Sequence, residues 1–171
     1  MTRGPTHPAG RRIRAARPAD LPVLLALQAT ALDSNWPALL RSAVDGPPTL
    51  LVVERSPAAV TTAVGSATPA PNVACGPTVE PGDPVGYALA VGTTDATYLA
   101  ELAVAPGHRD RGHGSALLSA LLARTGGECR LTIRADNEGA NRLYERFGFR
   151  VRKRLPNHYD GDDGLLFVRP G

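Results

Sequence analysis

Residues 98–123 constrain the fold most, because a strand pattern passes through a glycine-containing loop into a helix pattern. Apolar residues alternate up to Val104, and Pro106-Gly107 ends that run, which predicts a strand. From Ser115 onward, leucines recur at i, i+1, i+4 and i+5, which is typical of a helix packed against a core. We therefore expect the loop to lie at the end of a sheet strand, where a helix begins.

The loop itself reads Arg109-Asp110-Arg111-Gly112-His113-Gly114. A helix begins with unpaired backbone N–H groups and a partial positive charge, so this position favours an anion. Gly112 and Gly114 carry no Cβ and let the backbone approach such an anion closely. The flanking Arg109 and Arg111 favour a phosphate ligand over a plain tight turn.

Two common phosphate-binding motifs do not fit this loop. The P-loop requires Gly-Lys-Ser/Thr, and the single lysine of the chain, Lys153, lies far away in the sequence. A dinucleotide-binding fingerprint requires a third glycine at the position that Leu117 occupies.

At these residues the chain resembles the GCN5-related N-acetyltransferase (GNAT) family, whose Arg/Gln-x-x-Gly-x-Gly/Ala loop binds the pyrophosphate of acetyl-coenzyme A. Arg109, Gly112 and Gly114 match that loop, and residues 102–106 are similar to the family's fourth strand. A second block is similar to the family's Asn-x-x-Ala-x-x-Leu-Tyr-x-x-x-Gly-Phe segment. Its matching residues are Asn137, Ala140, Leu143, Tyr144, Gly148 and Phe149.

The resemblance and the order of the predicted elements imply an α/β fold, a single GNAT-like domain with a mixed central sheet and helices on both faces. Residues 1–10 are expected to be a flexible tail and residues 11–171 the acetyltransferase domain. Within it, residues 56–83 are a Pro/Gly-rich insertion in a hairpin connection, either a spacer or a substrate lid. Residues 157–164 have two interpretations, a substrate-side element of the family and an Asp/Gly-rich turn between two strands. Asp20 is the candidate N-cap of the first helix.

The resemblance implies acetyl-CoA as co-substrate and implies no metal. Asn137 is implied to bond the pantetheine arm, although an N-cap role for the following helix explains it equally well. His108 and His113 are expected to face solvent at the phosphate end. The predicted cofactor contacts are Leu102, Ala103, Val104, Arg109, Asp110, Arg111, Gly112, His113, Gly114, Ser115, Asn137 and Tyr144.

Acetyl transfer to an amine requires removal of the amine proton, stabilisation of an oxyanion and protonation of the leaving thiolate. The family meets the oxyanion with a backbone N–H of the fourth strand, here within residues 102–104. Tyr144 matches the family tyrosine that gives a proton to the thiolate, and packing on the sheet is its alternative role. Glu101 is the candidate general base, acting directly or through water. The face of the sheet on which Glu101 lies depends on whether the strand carries a β-bulge. The alternative to a general base is an exposed strand carboxylate.

The acceptor stays open between an amine-bearing small molecule and a peptide. Tyr159 is a candidate substrate contact, because residues 157–164 are weakly similar to an element of the ribosomal-protein alanine N-acetyltransferase branch. The second tyrosine of that element is His158 here, and Thr132 replaces the branch's fifth-strand acid. A CoA-binding regulatory module without turnover is the alternative function.

Composition narrows the partners and the location. The net charge of +3 rests on arginines without interleaved aromatic residues, which argues against nucleic-acid binding. No apolar run approaches the ~20 residues that span a bilayer, and no signal-peptide pattern is present, which argues against a membrane partner. Cys75 and Cys129 lack the spacing of a zinc site or a disulfide framework, so we expect a cytoplasmic protein. A homodimer is compatible with the family.

Overall fold

The apolar patterns of the sequence become seven strands and four α-helices within the residues that the structure describes. This structure is a computed structural model, and it describes residues 11–32, 36–47, 49–54, 82–92 and 95–171. The strands are β1 (Arg12–Ala15), β2 (Thr49–Glu54), β3 (Pro84–Gly92), β4 (Ala96–Val104), β5 (Glu128–Arg134), β6 (Arg150–Tyr159) and β7 (Asp162–Arg169). The helices are α1 (Leu21–Ala31), α2 (Pro37–Asp45), α3 (His113–Leu122) and α4 (Glu138–Arg146).

One sheet joins these strands in the order β1-β2-β3-β4-β5-β7-β6. The β4–β5 pair is parallel and the other pairs are antiparallel, so the sheet is mixed, as the sequence predicted. β2 and β3 pair as a hairpin across the predicted insertion. The predicted tail at residues 1–10 and positions 56–81 of that insertion lie outside the described residues.

Helices cover both faces of the sheet. On one face, Leu117 and Leu121 of α3 and Tyr144 of α4 belong to a buried cluster with strand residues. On the other face, Leu24 of α1 and Leu40 of α2 belong to a second cluster. Each cluster removes apolar surface from water, which is the main force that holds helices on a sheet. The predicted α/β architecture is confirmed.

A β-bulge at Ala100 changes which face the second half of β4 presents. Leu89 of β3 pairs with Glu101, whereas the next residue, Ala90, pairs with Leu99, so Ala100 is an extra residue. Leu99 accordingly belongs to the α3–α4 cluster. Glu101 lies opposite Leu89, which belongs to the α1–α2 cluster. The facing of Glu101, which the sequence left open, is therefore towards α1.

β4 and β5 separate shortly after they pair. Both strands lie wholly within the described residues, and their pairing covers residues 96–98 of β4 and 128–130 of β5. Beyond that point β4 continues beside β3, and β5 continues beside β7. The separation opens a gap in the middle of the sheet that backbone and side chains of both strands line.

The turn between β6 and β7 is shorter than the interpretation of residues 157–164 as a turn. β6 and β7 continue into that segment and leave Asp160-Gly161 as the turn, with φ of 47° and 105°. Pairing resumes at Tyr159 after an irregularity in β6 in which Asn157 takes a φ of 53°. The carboxylate of Asp163 stabilises this conformation by accepting the Asn157 N–H at 3.1 Å. A side chain from the opposite strand thus extends a hairpin that the local Asp/Gly composition predicted to be loop.

Asp20 has a different role from the predicted helix cap. It stands at the N-cap position of α1, but its side chain makes no cap bond to that helix. Its carboxylate instead accepts the Arg17 N–H at 2.7 Å and the Arg14 guanidinium at 2.6 and 2.9 Å. Arg14 also pairs with Glu54 of β2, so this ion network ties β1 and β2 to the start of α1.

Replacement of Asp20 by Asn should destabilise the fold in a pH-dependent way. Burial opposes ionisation, but the bonds from Arg14 and Arg17 outweigh it, so the pKa of Asp20 lies below its usual value. Its contribution is therefore complete above the unfolded-state pKa of about 4 and is lost as the pH falls through the folded-state pKa. Urea unfolding near neutral pH should show a loss of about 1.5–3 kcal/mol in the free energy of unfolding.

The matched control is Glu128→Gln, which breaks the exposed pair with Arg130. An exposed pair contributes at most about 1 kcal/mol. Equal losses in the two variants, or a loss for Asp20→Asn that does not shrink in acid, would contradict the assigned role of Asp20.

Candidate active site

Two adjoining cavities follow the gap between β4 and β5. The first measures about 520 Å³ and reaches from Glu101 to Tyr159. The second measures about 840 Å³ and lies against the loop before α3. Both are lined by Ala31, Leu32, Leu102, Asn137 and Ala140. The shared lining makes them one cleft with an anion-favouring end and an end that contains the buried carboxylate, which we call the loop end and the Glu101 end.

The loop end has the backbone geometry that the sequence predicted. Gly112 is the N-cap of α3 with a φ of 77°, a left-handed conformation that favours glycine. A Cβ built on Gly114 would meet Leu143 at 3.7 Å and Val104 at 4.0 Å, which is ordinary contact. Glycine at 114 is thus not required by packing within the protein, and its presence at the cavity is consistent with a closely approaching ligand.

Most predicted cofactor contacts lie together at the loop end, and among the described loop residues Arg111 lines neither cavity. Arg109 lines the larger cavity and donates to the Val104 carbonyl at 3.3 Å and to the Ala31 carbonyl at 3.4 Å. The predicted residues that line this cavity are Leu102, Ala103, Val104, Arg109, Asp110, Gly112, His113, Gly114, Ser115 and Asn137.

His113 is buried, so the expectation that it faces solvent was wrong. It begins α3 two residues before the predicted helix start, and its side chain is enclosed with 8% of the residue exposed. Burial, followed by the charges of Arg11, His108 and Arg111, lowers its pKa below the usual value. Within the described structure its Nδ1 has no hydrogen-bond partner. A buried polar atom without a partner beside a helix start is consistent with a ligand that supplies one.

Asn137 lines both cavities and caps α4. Its Oδ1 accepts the Ala140 N–H at 3.1 Å, which is the N-cap bond that the sequence offered as an alternative. The cap orients the side chain, and the amide NH₂ is the group that a ligand in the cleft could engage.

Tyr144 lines the Glu101 end from α4. Its ring packs edge-on against Phe149 at 5.6 Å between centroids and lies 6.2 Å from the ring of Phe167. Only 5% of the residue is exposed, and burial raises the pKa of its phenol well above the ordinary value. Tyr144 is therefore a packed aromatic residue whose phenol stays protonated, so its packing is compatible with the proton-donor role predicted from the sequence.

Glu101 is a buried carboxylate with three hydrogen-bond donors. Gln28 Nε2 donates to both of its oxygens at 3.0 and 2.9 Å, and the Trp36 backbone N–H donates to Oε1 at 2.9 Å. The Tyr87 hydroxyl donates to Oε2 at 2.7 Å. The residue is 6% exposed but still lines the cavity. The alternative of an exposed strand carboxylate is therefore wrong.

Sequence reasoning missed these donors, because they come from α1, β3 and the residue before α2. Gln28 and Tyr87 lie 73 and 14 residues from Glu101. A buried glutamine in a leucine-rich helix is the signal that could have pointed to Gln28, since such a group requires a polar partner.

Aromatic residues line the Glu101 end of the cleft. The Tyr159 hydroxyl donates to the Thr132 carbonyl at 3.0 Å, and the Arg134 guanidinium lies 5.2 Å from the centre of the Tyr159 ring. Trp36 and Tyr98 line the same cavity. Tyr159, the predicted substrate contact, therefore does border the cavity that contains Glu101.

Two general properties concern the described residues only. Among them, no group of three or more His, Cys, Asp or Glu side chains could hold a metal ion. No helix in the described ranges combines the length and the hydrophobicity required to cross a bilayer. Cys129 is a buried free thiol, and Cys75 lies outside these ranges.

Comparison with curated proteins gives partial matches. The chain is 39% identical over 79 residues to a mycothiol acetyltransferase of Streptomyces coelicolor, a match that covers 46% of this chain and 26% of that protein. It is 45% identical over 56 residues to the Acidothermus cellulolyticus enzyme of the same name, covering 33% of this chain and 17% of that protein. The chain thus spans about a quarter or less of the curated relatives it matches.

Comparison with solved structures and with family sequences covers far more of the chain. The fold matches the ribosomal-protein-S18-alanine N-acetyltransferase of Escherichia coli with a TM-score of 0.72 at 22% identity, covering 94% of this chain and 93% of that one. It matches Arabidopsis thaliana NAA60 in complex with acetyl-CoA with a TM-score of 0.73 at 19% identity, covering 94% and 98%. The sequence model of the acetyltransferase (GNAT) family matches residues 36–149, which is more than half of the chain. The chain therefore belongs to the acetyltransferase (GNAT) family.

Proposed function

We propose that this protein transfers an acetyl group from acetyl-CoA to a primary amine of a small molecule or peptide by direct attack. The observation that carries the proposal is the continuous cleft, with a glycine-containing helix start at one end and a buried carboxylate and a buried phenol at the other. Membership of the acetyltransferase family and a solved relative with bound acetyl-CoA support it.

The residues at the loop end fit acetyl-CoA. The start of α3 offers backbone N–H groups to a pyrophosphate, and Gly114, which has no side chain, leaves room for it. The Cβ position of Gly112 faces Arg11 instead. Arg109 adds a positive charge at the cavity wall. Asn137, oriented by its cap bond, can donate its amide NH₂ to the pantetheine arm. Leu102, which lines both cavities, marks the passage from the loop end to the Glu101 end.

The proposed chemistry moves one proton away from the amine and stabilises one leaving sulfur. Glu101 accepts the amine proton, directly or through water, and the nitrogen lone pair forms a bond to the thioester carbon. A backbone N–H within residues 102–104 stabilises the oxyanion that forms. The C–S bond then breaks and leaves its electron pair on the sulfur. Tyr144 donates a hydrogen bond to that sulfur, and the thiolate takes up a proton from solvent.

The hydrogen bonds of Glu101 are compatible with the role of a base. A carboxylate has about four lone-pair positions, and the three donors fill them with four hydrogen bonds, two to each oxygen. The hydroxyl of Tyr87 can rotate its hydrogen and accept instead of donate. Oε2 can therefore take up a proton while Tyr87 stays hydrogen-bonded to it.

The acceptor is proposed only as a class. The related proteins are named for mycothiol acetylation and for acetylation of a ribosomal-protein alanine, so they support an amine acceptor without selecting one. Tyr159, Trp36 and Tyr98 would form the acceptor wall. The cytoplasmic location, the homodimer and the absence of nucleic-acid, membrane and metal partners stay predictions from the sequence.

The experiment that tests the function measures thiol release from acetyl-CoA across a panel of amines, peptides and aminosugars. Turnover with any amine, together with its acetylated product in mass spectrometry, would support the proposal. Tight binding of acetyl-CoA without thiol release in lysate fractions or with the panel would favour the regulatory module instead.

Gly114→Val and Arg109→Ala should each weaken acetyl-CoA binding. Valine at 114 places side-chain atoms where the ligand approaches the backbone, and Arg109→Ala removes a charge-assisted contact worth about 1.5–3 kcal/mol. Isothermal titration calorimetry with acetyl-CoA measures both effects.

Two further variants serve as controls. Alanine at 114 fits the protein without close contacts, so Gly114→Ala separates folding from ligand approach. Arg124 is an exposed arginine bonded to a main-chain carbonyl at the other end of α3, and Arg124→Ala should bind normally. Unchanged affinity in both Gly114→Val and Arg109→Ala would refute the loop assignment.

Tyr144→Phe should lower kcat about 10²–10⁴-fold and leave acetyl-CoA affinity nearly unchanged, because only the hydroxyl is lost. The contacts with Phe149 and Phe167 remain, so the melting temperature should change little. Since burial raises the pKa of Tyr144, no alkaline fall in wild-type kcat should arise from it below about pH 10. The kcat of Tyr144→Phe is compared with that of Tyr98→Phe, which deletes another hydroxyl of the same cavity. A kcat within about twofold of wild type would make Tyr144 a packing residue.

Glu101→Gln should depress kcat/KM and remove the acidic limb of its pH profile. The substitution is nearly isosteric, and the Tyr87 hydroxyl can accept one new amide N–H. The Gln28 amide, which donates to both carboxylate oxygens, can rotate by 180° and accept the other, so the fold should persist. Measurements with acceptors whose amines differ in pKa distinguish titration of the enzyme from titration of the substrate. Tyr87→Phe keeps the Glu101 carboxylate and removes one of its hydrogen bonds. It therefore shows the effect of a damaged hydrogen-bond network alone. A limb that follows the acceptor's pKa and survives Glu101→Gln would remove Glu101 from the mechanism.

A further inference from the structure

An arginine from the beginning of the domain reaches the proposed acetyl-CoA loop. Arg11 lies directly before β1, and its Nη2 donates to the backbone carbonyl of Arg111, 100 residues away. Its guanidinium nitrogens lie 3.2 and 3.5 Å from the position of a Cβ built on Gly112. The side chain therefore packs directly on the peptide unit between Arg111 and Gly112.

The bonded carbonyl stands where the helix gives it no support. The first backbone bond of α3 runs from the Ala116 N–H to the Gly112 carbonyl, so the Arg111 carbonyl precedes the helix ladder. The residues on either side of Arg111 have left-handed φ values, 58° at Asp110 and 77° at Gly112. For a residue other than glycine this conformation costs about 1–2 kcal/mol, so the loop requires support from elsewhere.

A bond to one side of a peptide unit also orients its other side. The peptide is planar and trans, so the Gly112 N–H points away from the Arg111 carbonyl. A cation that holds the carbonyl from outside the loop directs that N–H to the opposite side. It also polarises the amide and makes its N–H a better donor.

We propose that Arg11 is a positioning residue for acetyl-CoA, which holds the 111–112 peptide so that its N–H serves the pyrophosphate. The role rests on the proposed function of the loop. It differs from that of Arg109, which lines the cavity itself, because Arg11 acts through the backbone of the loop. The positioning role predicts that loss of Arg11 impairs the binding of acetyl donors that contain a pyrophosphate and does not impair the use of acetyl donors that lack one.

The experiment compares Arg11→Gln with Arg12→Gln. Arg12 is the next residue, is 70% exposed at its side chain and has Glu54 at 3.8 Å, so its loss removes the same charge from the same segment. Calorimetry should show acetyl-CoA affinity lowered about tenfold in Arg11→Gln and unchanged in Arg12→Gln. The kcat/KM for S-acetylpantetheine should be equal in Arg11→Gln and wild type, since that donor has no pyrophosphate. A general loss of structure would lower the kcat/KM for S-acetylpantetheine as well.

The outcomes separate this role from direct binding of the 3′-phosphate and from a general loss of structure. With 3′-dephospho-acetyl-CoA the Arg11→Gln deficit should persist, whereas its disappearance would make Arg11 a direct ligand of the 3′-phosphate and overturn the positioning role. Equal affinities in Arg11→Gln and Arg12→Gln, with Gly114→Val still impaired, would overturn the inference alone. Unimpaired binding in Gly114→Val as well would overturn the proposed loop itself.

Discussion

The separation of β4 from β5 is the constraint on which the rest of the site depends. Parallel pairing stops after residues 96–98 and 128–130, although both strands continue. Each strand keeps its hydrogen-bonded partner on the other side, β3 for β4 and β7 for β5, so the sheet survives the interruption. The facing edges of β4 and β5 in the gap lack strand-to-strand hydrogen bonds. Unpaired backbone groups are costly unless a ligand or water satisfies them. The cleft is therefore built into the sheet itself.

The bulge at Ala100 works together with this separation. Without it, Glu101 would share the face of Leu99 and lie against the apolar cluster of α3 and α4. With it, Glu101 meets donors from α1, from β3 and from the residue before α2. A buried carboxylate without such donors would be costly by several kcal/mol. The same contacts hold the start of α2 against β4, so the proposed acceptor wall and the proposed base share one support.

The sequence predicted the local parts of this arrangement and missed the distant ones. The strand, loop and helix of residues 98–123 and the cap at Asn137 follow from short-range patterns, and the structure contains them. The extension of the hairpin beyond residue 157 depends on a carboxylate of the opposite strand, which local composition does not reveal. The bond from Arg11 joins residues 100 positions apart and leaves no periodic signal at all.

The environment of Tyr144 decides how completely its phenol can transfer a proton to the leaving sulfur. Burial raises the pKa of Tyr144 above the ordinary phenol value of about 10, whereas a free thiol has a pKa of about 8.5. Complete transfer of the phenol proton to the departing sulfur is then uphill by at least about 2 kcal/mol. A hydrogen bond that strengthens as negative charge develops on the sulfur has no such cost and still stabilises the transition state. The packing that keeps Tyr144 protonated therefore favours donation of a hydrogen bond, with solvent completing the protonation of the thiolate after it leaves.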